Sequence, residues 1–142
     1  FAVKMSSMLD DQQEERLFTL SEARSLMPRL RKLLSRMIAE RERLVDMRVE
    51  IDAARENAVL NGGSSVGPKY LQHMIVFSEA FQEIESLGVL VKDLRTGLVD
   101  FPYEFEGRIV YLCWRHDEDE IGWWHETDSG FAGRRPLSDD FS

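Results

Sequence analysis

One cysteine, Cys113, stands in a chain of 142 residues. A lone cysteine closes no intramolecular disulfide and builds no multi-cysteine zinc site, which suits a reducing compartment. Long apolar runs are also missing. None reaches the roughly 18 residues of a membrane-spanning helix, and Phe1-Ala2-Val3-Lys4 is too short for a signal-peptide core. A cytoplasmic location is therefore expected. Positive charge is scarce: 18 Lys and Arg against 26 Asp and Glu leave a net charge of −8. Nucleic acid and anionic membranes are bound by cationic faces, so neither is expected as a partner. No internal repeat is visible. The composition, 43% hydrophobic and 31% charged, is that of one globular domain.

Four prolines and a few glycines punctuate the chain. Residues 1–17 end in the polar run Asp10–Arg16 and read as a flexible tail. Phe18-Thr19-Leu20-Ser21-Glu22-Ala23 is a helix start: Thr19 can cap, Glu22 can reach back to it, and Phe18 can staple onto Ala23. Pro28 lacks an amide proton and disfavours helix in the residue before it, so a short helix, a kink and a second helix are expected there. The second helix, from about Pro28 to Leu60, carries Leu30, Met37, Leu44, Ile51 and Ala58 at sevenfold spacing. Leu33, Met47 and Ala54 fill partner positions, forming a coiled-coil-like seam. Asn61–Pro68 is a flexible turn. Its glycine spacing imitates the start of a phosphate-binding loop, but Pro68 stands where the pattern needs Lys, and a helix rather than a strand precedes it.

From about Lys69 a further helix places Tyr70, Phe77 and Ile84 in register, with Met74 and Phe81 between them, and ends at Gly88. It is too short to cover the stretch Leu30, Leu33, Leu34, Met37 and Ile38, which must pack on something else. Beyond Gly88 the pattern becomes β-like: Val89–Val91, then Leu98–Phe101 closed by Pro102, then Arg108–Trp114, then Ile121–His125 after an acidic turn. The expected fold class is α+β, a long antiparallel helical hairpin packed with a small antiparallel β-meander of three to four strands. The single domain spans residues 18–137, helical over 18–88 and β-meander plus C-terminal loop over 89–137. Residues 138–142 are expected to fray.

Several strings of the second half resemble a known family. They are Lys92-Asp93-Leu94, Gly97–Pro102, Tyr111-Leu112-Cys113-Trp114-Arg115, Trp124-His125-Glu126 and Gly130-Phe131-Ala132-Gly133-Arg134. Together with Phe18-Thr19-Leu20 and Ala23-Arg24 they resemble the bacterial domain of unknown function 2203, over about Phe18 to Leu137. His116-Asp117 departs from the Leu-Gly of that pattern. The resemblance implies a small cytoplasmic bacterial protein and carries no activity and no assigned residues.

Three groups of side chains could carry chemistry. Asp100, Glu118, Glu120, His125, Glu126 and Asp128 crowd the strand ends and turns. Carboxylates with an imidazole can hold zinc or manganese, and the set expected is His125, Asp100 and Glu120. The competing reading is an acidic loop in solvent, with His125 hydrogen-bonded among tryptophans. Cys113, within an apolar strand, reads as a small buried hydrophobe, since a nucleophilic cysteine needs an electropositive, partly open site. Trp123 and Trp124 must point to opposite faces of their strand. With Arg134 and Arg135 they form the candidate binding residues. The arginines can receive an anion or clamp the acidic turn. No catalytic residue is assignable. The expected role is a non-enzymatic protein-interaction or oligomerisation module, a homodimer through the helical hairpin or a complex with another protein. The alternative is a small metal- or ligand-binding enzyme using His125 and nearby carboxylates.

Overall fold

The computed structural model describes residues 15–61 and 66–142. The tail up to Glu14 and the heart of the glycine-rich turn, residues 62–65, lie outside the described residues. Helix α1 spans Leu20–Asn61 and helix α2 spans Val66–Ser86. Five strands follow, β1 Leu90–Asp93, β2 Leu98–Phe105, β3 Arg108–Arg115, β4 Trp123–Glu126 and β5 Arg135–Pro136. They form one antiparallel sheet in sequential order. The fold is thus α+β with one strand more than the three to four expected. The addition is the two-residue β5, too short to leave a sequence signal. Among the described residues no helix is long and apolar enough to cross a membrane.

Helix α1 starts as its capping residues dictate. Glu22 N–H donates to Thr19 Oγ1 at 3.1 Å, and Thr19 N–H donates to Glu22 Oε1 at 3.1 Å. Pro28 does not split it. The ring deprives the Arg24 carbonyl of its partner, but Arg24 and Pro28 both lie on the solvent side, where water can satisfy that carbonyl. The expected kink between two helices is therefore corrected to one helix.

The hairpin is tied by the Arg29–Glu83 ion pair and by His73 Nδ1 to Glu40 at 2.5 Å. On α2, Ala80 and Ile84 are buried, whereas Met74 is 45% exposed. His73 takes the inward position that the sevenfold reading gave to Met74. The N-terminal half of α1 finds its cover in the sheet. Leu30, Leu33, Leu34 and Met37 join one core with Val99, Phe101, Leu112 and Trp114.

Strand β2 passes through Pro102 instead of stopping at it. In an antiparallel ladder a residue's N–H and C=O point to the same side. The Pro102 carbonyl accepts from Phe18 N–H at 2.8 Å, on the side away from β3. The missing N–H therefore costs the β2–β3 ladder nothing. The β2–β3 hairpin turns on two residues, Glu106 and Gly107, both with positive φ (51° and 77°). That is the turn geometry matching strand twist.

The expected frayed end, residues 138–142, is also corrected. Phe141 is buried and stacks on Phe105 at 4.4 Å between ring centroids. Leu20 N–H, an orphan donor of the first helical turn, donates to the Ser142 carbonyl at 2.8 Å. An aromatic anchor and a helix end needing an acceptor hold the segment down.

Candidate functional site

Strand alternation sorts the sheet into two faces. The inner face carries Val99, Phe101, Tyr103, Val110, Leu112, Trp114 and Trp124, all buried. The outer face carries Asp100, Cys113, His125, Tyr111 and Trp123. Counting back from the Glu106-Gly107 turn sets Asp100 opposite Cys113, and the β3–β4 register sets His125 opposite Tyr111, diagonal to Cys113. The Phe131–Gly133 3-10 turn follows β4, and Phe131 packs under the guanidinium groups of Arg115 and Arg134.

Asp100, Cys113 and His125 are buried, at 1%, 0% and 3% exposure. Their donor atoms lie within 4.8 Å of one another. His125 Nδ1 sits 2.7 Å from the Glu126 carbonyl oxygen. A carbonyl only accepts, so Nδ1 carries a proton and donates it. Nε2 then faces Asp100 Oδ2 at 3.0 Å. Two lone pairs at that distance repel, so a proton or another cation must stand between them. Asp100 Oδ1 is buried with no hydrogen-bond partner among the described residues. Burial pushes the Asp100 carboxyl above its usual range, opposed by the charges of His125 and Lys92. Burial, with the Asp100 charge adding to it, pushes the Cys113 thiol up to about 12, opposed by Arg134. In the absence of a cation this thiol is no nucleophile.

A family model described as "Uncharacterized conserved protein (DUF2203)" matches residues 16–137. The chain belongs to this family. No curated protein and no solved structure matches it. The DUF2203 match encloses Asp100, Cys113, His125 and Arg134. Its description names no activity.

Of the expected metal set, this DUF2203 chain brings together Asp100 and His125. Glu120 does not join them. It is exposed and lines a cleft with Arg24, Met27, Pro28 and Arg31, on the helix side of the sheet. The third donor is Cys113, which from the sequence reads as a buried packing residue. The signal for it was the Glu106-Gly107 turn, which fixes the register. The four candidate binding residues separate. Trp124 packs inward against Phe105 and Phe141, with Arg135 over its ring at 5.3 Å. Trp123 faces outward beneath Arg134, at 4.7 Å. Arg134 donates to Glu118 Oε1 at 2.8 Å, clamping the acidic turn, and Glu118 also accepts from Arg115 N–H at 2.8 Å. Lys92 and Tyr111 complete the surroundings, the ammonium 5.0 Å from the ring centroid.

Proposed function

We propose that this protein binds one zinc-type divalent ion through His125 Nε2, Cys113 Sγ and Asp100. The observation that carries this reading is the buried carboxylate with an oxygen unpartnered among the described residues, set against an imidazole whose tautomer a backbone carbonyl fixes. That is the outer-shell arrangement typical of metal-bound histidine. A tetrahedral zinc ion holds its N, O and S donors roughly 3.4–3.6 Å apart, from bonds of about 2.0–2.3 Å. Donor atoms already within 4.8 Å need little movement to reach it. The thiolate decides between zinc and manganese. Sulfur ligands select zinc, whereas carboxylate and water suit manganese. Binding displaces the proton between Nε2 and Oδ2 and the thiol proton. Arg134, beside Cys113, favours the thiolate.

Equilibrium dialysis against buffered zinc, followed by metal analysis, tests the reading. One ion per chain is expected, with strong loss in His125→Ala and Cys113→Ser. A chain that retains no zinc, or variants that retain as much as the parent, would sink it.

A second reading, a homodimer through the hairpin, has one observation in its favour. Leu71, Met74 and Ile75 are 58%, 45% and 49% exposed at i, i+3 and i+4 spacing on α2. Light scattering on the purified chain distinguishes a dimer from a monomer. A monomer at high concentration would end this reading and leave the metal proposal intact.

A further inference from the structure

The three donors leave a tetrahedral ion one position short, and three protein ligands with an open fourth position distinguish a reactive zinc site from a structural one. A cavity of about 140 Å³ opens directly on Asp100 and His125, with Lys92, Tyr111, Thr127 and Ser129 in its walls. The volume is well below the roughly 300 Å³ at which drug-sized ligand pockets begin. At ~30 Å³ per water in the liquid, it suits a ligand of a few heavy atoms.

Charge selects the class of ligand. A divalent ion with one thiolate and one carboxylate is neutral as a unit. Among the described lining residues the one acid is Asp100, whose charge the ion takes up. With His125 bound to the ion, Lys92 is then the one cation among the described lining residues. Its ammonium is held over the Tyr111 ring at 5.0 Å, and the Tyr111 hydroxyl is turned to Glu15, donating at 3.2 Å. Lys92 N–H and Thr127 O–H are the donors available to a guest. The Ser129 hydroxyl is already committed to the Glu126 carbonyl at 3.2 Å.

We infer that the cavity between Lys92 and His125 takes a small oxyanion, a carboxylate or inorganic phosphate, as fourth ligand to the ion. The inference rests on the metal reading above and adds the ligand class and the role of Lys92. The anion bridges from the metal to the ammonium, so Lys92 holds the guest, besides favouring the ionised Asp100 carboxylate.

Cobalt-loaded protein separates the two layers. A near-ultraviolet charge-transfer band reports the Cys113–cobalt bond, and the visible bands report the fourth ligand. At constant ionic strength, acetate, bicarbonate and phosphate are titrated in turn. At least one should change the visible bands saturably while the near-ultraviolet band persists. In cobalt-saturated protein, Lys92→Met should weaken that anion about fivefold, the worth of one nearby charge in a wet site, with the near-ultraviolet band retained. A near-ultraviolet band with visible bands indifferent to all three anions would overturn the inference and spare the metal site. Equal anion affinity in Lys92→Met would also overturn it. Absence of the near-ultraviolet band would overturn both.

Discussion

Replacing Asp100 by Asn separates the cost of the buried acid from its use. In the metal-free protein, the introduced side-chain amide can donate to His125 Nε2 in the place of the proton now held between Nε2 and Oδ2. The amide carries no charge to desolvate, so the metal-free Asp100→Asn variant should match the parent within about 1 kcal/mol or exceed it. Asp100→Ala behaves differently. It leaves Nε2 buried without a partner and should cost about 1–3 kcal/mol. The sign of the pH effect follows from the raised carboxyl. The folded state holds its proton to higher pH than the unfolded state. The group's contribution is therefore fully present below the unfolded value near 3.8 and is lost as pH rises through the raised folded value. The advantage of the amide should accordingly grow with pH over that window.

With zinc the order reverses. At a hundredfold excess over its dissociation constant, zinc adds about 2.7 kcal/mol to the parent, roughly 10 °C in Tm for a domain of this size. If the amide binds a hundredfold more weakly, the same zinc adds only ~0.4 kcal/mol, one or two degrees. Thermal scans by circular dichroism, with chelator and with zinc, read both halves. An Asp100→Asn variant that keeps the full zinc shift, or one that loses about 8 °C or more before zinc is added, would refute the reasoning.

Three further outcomes are expected. Cys113, with its thiol near 12, should be thiolate in roughly one molecule in ten thousand at pH 8; its alkylation by iodoacetamide, followed by mass spectrometry, should proceed only at the rate of unfolding, and fast native labelling would contradict its burial. Gly97→Ala forces a β-carbon to 2.8 Å from His116 Cβ and 3.0 Å from Ile38 Cδ1 at φ +71°, so denaturant unfolding should show a loss of about 2–4 kcal/mol. Phe141→Ala empties a ring-lined position on the inner sheet face and should cost about 3–5 kcal/mol; a neutral effect would mean the segment is not anchored there.

Much of the architecture was legible because local rules and burial agreed. The Thr19–Glu22 box, the hairpin and the main strands follow from capping, period and turn residues. Failures came where a local rule met a tertiary exception. Pro28 and Pro102 read as breaks, yet each turns its missing donor away from any buried partner. Phe141 read as an end, yet it fills a gap among Phe105, Tyr103 and Trp124. The candidate site was half legible. Asp100 and His125 stand out as titratable residues, whereas Cys113 lies in an apolar strand and reads as a small buried hydrophobe. A side-chain period of two, carried across two hairpins, decides which residues meet. The Glu106-Gly107 turn sets that count.

The central claim is a sulfur, nitrogen and oxygen set around one ion on the outer face of the sheet. X-ray absorption at the zinc edge of the loaded protein measures that set directly. The account predicts one sulfur at about 2.3 Å with nitrogen and oxygen neighbours at about 2.0–2.2 Å, and loss of the sulfur shell in Cys113→Ser. A first shell of light atoms alone in the parent protein would contradict it.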